Sequence, residues 1–189
     1  QLSLSLVLRF QKNEIFIKTT HKMPPIVVVA YNRSKSLSRL LTSLANASYP
    51  DTPILLIISI DYANDNQATL EVANDFNWNF GEKKIVVHKA NLGLRKHVLK
   101  CVSYAIEYES VIILEDDLYV SPNFYFYARE ALMFSVDKDY IGGISLYNHQ
   151  LTTGSHMAFT PLEDGYDNWY FQYASSWGQA WNKSQIEGF

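Results

Sequence analysis

Cysteine is nearly absent from this chain: 189 residues carry one, Cys101. A single thiol excludes an intramolecular disulfide and any metal site built from a cysteine cluster. Its place in an amphipathic segment predicts a buried structural thiol. Excess charge of one sign is missing too, and a net charge of −3 gives no reason to expect a nucleic-acid partner. No apolar run approaches the ~20 residues that a membrane-spanning helix needs. Leu2–Phe10 is apolar but short, alternates with serine at first and lacks a convincing cleavage site, so it makes a poor signal peptide. Only 8 glycines are present, and none builds a phosphate loop. The sequence has no Gly-x-x-x-x-Gly-Lys-Ser/Thr, no Gly-x-Gly-x-x-Gly after the first strand and no Gly-x-Ser-x-Gly. Those absences argue against P-loop proteins, dinucleotide-binding proteins and serine hydrolases. The histidines, His21, His88, His97, His149 and His156, show no zinc spacing. His88 is expected to pack or pair at a strand end.

What the chain does have is a regular alternation of apolar runs and amphipathic stretches. From Pro24 onward the pattern predicts strands at 26–30, 54–60 and 84–88, a fourth leading into Glu115, and a last at about 141–147. Helices are predicted between them at about 35–47, 66–76, 94–108 and 122–136. The first of these lines up Leu37, Leu40, Leu41 and Leu44 on one face. The series β-α-β-α-β-α-β-α-β implies one α/β domain with a mainly parallel sheet. Regularity fades after Tyr147. Residues 148–189 read as loops rich in Trp, Tyr, Asn and Ser, with room for short strands, and a loop stretch that long is usually functional or part of something larger. Aromatic residues make up 14% of the chain and gather after Asn123, where they can line a pocket or simply fill a core.

The most informative segment is Val111-Ile-Ile-Leu-Glu-Asp-Asp117. Four aliphatic residues in a row suit a strand buried on both faces. The strand delivers Glu115, Asp116 and Asp117 to its C-terminal end, where open α/β sheets bind ligands. Hard oxygen donors there favour Mg²⁺ or Mn²⁺, and such a cation can hold a diphosphate. The plainer reading is a solvated turn or a helix cap, since Ser121 and Pro122 open the next helix. Two other strands also end in polar residues, Asn32-Arg33 after the first and Asp61 after the second. A parallel sheet places all three clusters along one edge. Arg33 can pair with phosphate, and Asp61 can accept from a base N–H or a ribose hydroxyl. Taken singly, Arg33 also reads as a surface charge and Asp61 as a turn former. Asn91-Leu-Gly-Leu-Arg95-Lys96 adds a glycine turn and two cations at a helix start, which suits an anion or a solvated face.

Pro25-Ile-Val-Val-Val-Ala-Tyr-Asn-Arg33, Asp61, Asn91-Leu-Gly-Leu-Arg95, Ile113-Leu-Glu-Asp-Asp-Leu118 and Ser121-Pro-Asn-Phe124 together resemble the GT-A glycosyltransferases. The likeness covers about residues 24–182. It is nearest to the N-acetylglucosaminyltransferase I group, and similar segments occur in bacterial family-two sugar transferases. The resemblance implies a GT-A fold, a nucleotide-sugar donor (usually a UDP-sugar), Mn²⁺ or Mg²⁺, and transfer with inversion to a hydroxyl of a glycan or lipid-linked acceptor. It makes Asp117 the direct metal ligand in a DXD-like motif. Glu115 and Asp116 then bond the ribose or donor sugar, Ala30, Tyr31, Asn32, Arg33 and Asp61 surround the nucleotide, and Arg95 approaches the base or phosphates. Ser175-Ser-Trp-Gly-Gln-Ala-Trp181 resembles a Gly-Trp loop beside donor and acceptor, although Ser176 and Trp177 replace part of its glycine pattern.

The same resemblance puts the catalytic base beyond that loop, and so beyond Phe189. Among the late acids within the chain, Asp164, Asp167 and Glu187 are the weak candidates. On this reading residues 23–189 form the glycosyltransferase domain, truncated before its base. Residues 1–22 form an extension that reads equally as an added strand, a leader or an over-extended start ahead of Met23. A bacterial cytoplasmic enzyme at the inner membrane face, assembling surface polysaccharide, is favoured over a Golgi enzyme. Two other readings stay open. A nucleotidyltransferase of related fold is expected to carry a glycine-rich basic loop, which Tyr31-Asn32-Arg33-Ser34 is not. A catalytically silent module would bind nucleotide-sugar without turning it over.

Overall fold

Ile26–Ala30, five consecutive β-branched or small apolar residues, form strand β1 at the centre of the sheet, and every one of them is buried. The computed structural model describes residues 22–149, 151, 157–158, 160, 163–172 and 175–187. β1 has parallel neighbours on both sides: β2 (Leu56–Ile60), in register Ile26↔Leu56, and β4 (Ser110–Glu115), in register Ile26↔Ile112. β3 (Lys83–Val87) adds a parallel edge beside β2. The sheet order is β3-β2-β1-β4-β6-β5.

Helices cover both faces, which explains why the central strands read as unbroken apolar runs. On one face Ile26, Val28, Ile58, Ile60, Ile112 and Leu114 pack against α1 (Ser34–Ala45), α2 (Gln67–Asp75) and α5 (Phe124–Ser135). The leucines predicted to share one side of α1 are all buried there. On the other face Val27, Val29, Ile57, Val111 and Ile113 meet Cys101, Val102 and Ala105 of α3 (Leu94–Val102) and α4 (Tyr104–Tyr108). Cys101 is fully buried, as its setting predicted, and burial pushes its thiol up to about 11. Gly81 makes the turn into β3 with φ +151°. A Cβ there would stand 2.3 Å from the Ile54 carbonyl oxygen, so no other residue fits.

The α/β class and the mainly parallel sheet hold as predicted; two local expectations do not. The helix predicted over 94–108 is interrupted at Ser103, whose hydroxyl turns back 2.7 Å to the Lys100 carbonyl and competes with the helical ladder. The strand predicted at 141–147 shrinks to β5 (Ile144–Ser145), which pairs antiparallel. Its partner β6 (Gln179–Asn182) lies in the loop-rich stretch that left room for short strands, and it inserts antiparallel between β4 and β5. β6 has one small aliphatic residue, Ala180, so it leaves no apolar run to find. It is held by Asn182, whose buried amide donates to the Leu132 carbonyl and the Ser135 hydroxyl, both at 2.9 Å. Of the N-terminal extension expected at 1–22, only Lys22 falls among the described residues.

Candidate functional site

Parallel pairing brings the C-terminal ends of β1, β2 and β4 to one edge. β1 runs out at Ala30, and after Tyr31 and Asn32 the chain enters α1, with Arg33 at its N-cap position. β4 runs out at Glu115, and the Asp116 N–H continues the ladder to the Val29 carbonyl at 3.0 Å. That register sets Arg33 directly against the acids. Its Nη1 donates to Asp117 Oδ2 at 2.8 Å and its Nη2 donates to Asp116 Oδ1. The Tyr31 N–H reaches Asp116 Oδ2 at 3.4 Å.

The three acids differ in environment. Asp116 is 1% exposed in its side chain and Asp117 44%. Burial raises the Asp116 pKa, and the Arg33 guanidinium and the Tyr31 N–H oppose the shift without cancelling it. Glu115, half-buried, is also raised, by burial and by the neighbouring Asp117 charge, against Arg33 and a side-chain hydrogen bond with Ser176. Asp116 is therefore an internal anchor for Arg33, while Asp117 is the carboxylate open to a ligand.

The turn that carries them is fastened by α1 and the residues just after it. Arg39 donates to the Asp117 carbonyl oxygen, the Ser43 hydroxyl accepts from the Val120 N–H at 3.2 Å, and the Ser48 N–H donates to the Pro122 carbonyl at 2.7 Å. None of these three residues stands out in the sequence. They act on backbone groups, a role that leaves no motif.

Asp61, at the end of β2, is 3% exposed and faces protein. It accepts from the backbone N–H of Tyr62 at 2.9 Å, of Leu92 at 2.9 Å and of Gly93 at 3.0 Å. It thereby holds the glycine turn that starts α3, where Gly93 has φ +73°. Arg95, one residue into α3, is exposed, and Asn32 bonds Asp65 at 3.3 Å. Behind Asp61, Ser59 Oγ lies 3.1 Å from His88 Nε2 and 2.8 Å from His97 Nε2, so His88 pairs at its strand end as expected.

Burial holds His97 neutral, its pKa pushed down to about 4 from an ordinary 6.5. Between those values the unfolded chain binds more protons than the native one. Stability is therefore fully present above pH 6.5 and is lost as the pH falls toward 4. The gap corresponds to about 3 kcal/mol. Urea unfolding is expected to show stability falling across that window, with a flatter profile in His97→Asn; equal slopes in the two proteins would refute this.

The late segment returns to the edge through β6. Antiparallel pairing of Gln179 with Ile113 carries Ser176 and Trp177 past the end of β4 and sets Ser176 against Glu115. Tyr147 meets Trp177 edge-on at 4.6 Å. The same pairing sends α6 (Lys183–Glu187) to the opposite edge of the sheet, where the Lys183 N–H bonds the Glu109 carbonyl. Glu187 lies there, far from Asp117. Asp164 and Asp167 are exposed, with Asp164 accepting from the Tyr166 N–H at 3.1 Å. Phe189, beyond which the base was expected, lies outside the described residues.

Among the described residues no three His, Cys, Asp or Glu side chains converge as a closed metal site. What the edge offers is one open carboxylate, Asp117, beside a half-buried one, Glu115. That donor set suits Mg²⁺ or Mn²⁺, which are commonly bound by one or two carboxylates with water and substrate phosphates completing the sphere.

The model of one protein family, described as glycosyl transferase family 2, matches residues 26–173. The chain belongs to this family. Its match spans β1 through the aromatic segment and so includes every edge residue described above except Ser176 and Trp177. No curated protein matches the chain. Among solved structures, the mannosyltransferase PcManGT from Pyrobaculum calidifontis, in complex with GDP-Man and Mn²⁺, is 14% identical with a TM-score of 0.52, over 76% of this chain and 41% of that one. S. aureus TarS is 25% identical with a TM-score of 0.46, over 59% of this chain and 20% of that one. TarS 1-349 in complex with UDP-GlcNAc is 20% identical with a TM-score of 0.42, over 59% and 31%. The chain thus spans from a fifth to two-fifths of the length of these three structures.

Proposed function

We propose that this family 2 chain is the donor-binding part of a metal-dependent glycosyltransferase. It moves a sugar from a nucleotide-sugar, most simply a UDP-sugar, to an acceptor hydroxyl with inversion, in the assembly of a surface polysaccharide. The observation that carries the reading is the meeting of Arg33 with Asp116 and Asp117 at the C-terminal edge of a parallel sheet. Membership of the family and the GT-A-like topology support it.

In this reading Asp117, with Glu115 beside it, would hold Mn²⁺ or Mg²⁺, and a cation there would supply charge neutralisation for a leaving diphosphate. Arg33 keeps the carboxylates oriented and places a fixed cation where diphosphate charge collects. Asp116, buried beneath it, locks the guanidinium. The segment Ala30–Arg33 flanks the nucleotide. Asp61 acts on it indirectly, by setting the 91–93 turn and the approach of Arg95. Ser176 orients Glu115, and Trp177 walls the donor-sugar side.

Calorimetric titration of UDP with and without Mn²⁺ tests the reading. Metal-dependent binding is expected. No binding of UDP, GDP, dTDP or CMP with or without the metal would overturn it.

A further inference from the structure

A further charge asymmetry lies outside the carboxylate edge. The whole sequence has 16 Lys and Arg against 19 Asp and Glu, yet the stretch 83–106 holds six of the basic residues and no acid. Lys83 is tied to the carbonyls of Ala73 and Asn74. Lys84, Lys89, Arg95, Lys96 and Lys100 are exposed, and none forms an ion pair among the described residues.

Arg95, Lys96 and Lys100, with Lys84 beside them, share a surface with exposed apolar side chains. α3 buries His97, Cys101 and Val102. At 3.6 residues per turn the opposite side carries Leu99 between Arg95, Lys96 and Lys100. Leu99 is 58% exposed. Ile106 extends the apolar line onto α4 at 49%. Lys84 lies on the same side of edge strand β3, since it pairs in register with Ile57, which packs beneath α3 and α4.

We infer that this face docks on an anionic lipid bilayer. A dissolved polyanion would pair the cations but leave Leu99 and Ile106 in water. The boundary between headgroups and acyl chains takes both, which is how basic amphipathic helices lie on membranes. Because α3 begins at the edge that carries Asp61 and the carboxylates, docking sets that edge beside the bilayer. Docking depends on this surface alone and does not require the donor reading.

Co-sedimentation of the chain with vesicles tests it. Sedimentation is expected with phosphatidylcholine mixed with phosphatidylglycerol and not with phosphatidylcholine alone, and it should weaken as salt rises. The double variant Lys96→Glu/Lys100→Glu should lose at least about tenfold in binding. Leu99→Ser should bind several-fold more weakly at unchanged charge. Lys84→Glu, on the neighbouring strand, gives a second charge test should the first variant fail to fold. Absence of sedimentation with the mixed vesicles, or wild-type binding by both charge-reversed variants, would overturn the inference. So would wild-type binding by Leu99→Ser together with release by soluble polyphosphate, which would reassign the face to a dissolved polyanion.

Discussion

Asp61→Ala is expected to destabilise the fold by about 3–5 kcal/mol. The carboxylate is buried and accepts backbone N–H groups of Tyr62, Leu92 and Gly93. Alanine leaves these donors without an acceptor in a space too tight for full hydration, at ~1–3 kcal/mol for each donor that water does not reach. The loss also frees the turn that fixes the entry of α3, so local opening should spread into that helix before the central strands. Asp61→Asn keeps one acceptor oxygen but turns an NH₂ toward N–H donors, and it should recover less than half of the stability. Urea unfolding at neutral pH measures both variants. A loss below about 1 kcal/mol for alanine would show that Asp61 is not the structural anchor its hydrogen bonds describe.

Asp117→Ala is expected to leave stability nearly unchanged and to weaken UDP binding in the presence of Mn²⁺ by about 1000-fold, or ~4 kcal/mol. The two effects separate because Asp117 is 44% exposed and shares its contact with Arg33, an ion pair largely screened by water. Arg33 keeps its bond to Asp116 in the variant. The donor-site reading gives Asp117 the direct metal contact, however, and even residues one step removed from a metal typically change affinity 10–100-fold when lost. Metal-free UDP binding should be the same in both proteins. Calorimetry with Mn²⁺ showing Asp117→Ala within about fivefold of wild type would move the metal contact to another residue.

The parallel α/β fold was legible because buried strands must be apolar on both sides. Ile26–Ala30 and Ile112–Leu114 are continuous aliphatic runs, and Leu37, Leu40, Leu41 and Leu44 repeat at helical spacing. The same runs mark where each strand stops, so the residue pattern alone assigns Arg33, Asp61 and Glu115–Asp117 to one edge. Less was legible where elements are short. β6 has four residues, and its anchor is the amide of Asn182, polar and buried, which in a sequence looks like a loop residue.

Pairing across the edge was not legible at all. Asp61 has the same chemistry whether it meets a ribose or the N–H groups of Leu92 and Gly93, and a sequence separation of 31 from Leu92 hides which one it meets. Arg39 and Ser43 are ordinary helix residues until α1 is laid against the carboxylate turn, where they hold the Asp117 carbonyl and the Val120 N–H. Ser176 reaches Glu115 only because β6 runs antiparallel to β4. The sequence by itself determined the parallel part of the sheet, its two covered faces and the chemical character of its C-terminal edge, since burial leaves a periodic record along the chain. Only the tertiary structure decided which carboxylate is anchor, which is open and which holds a turn, because hydrogen bonds between distant segments depend on register and leave no local pattern.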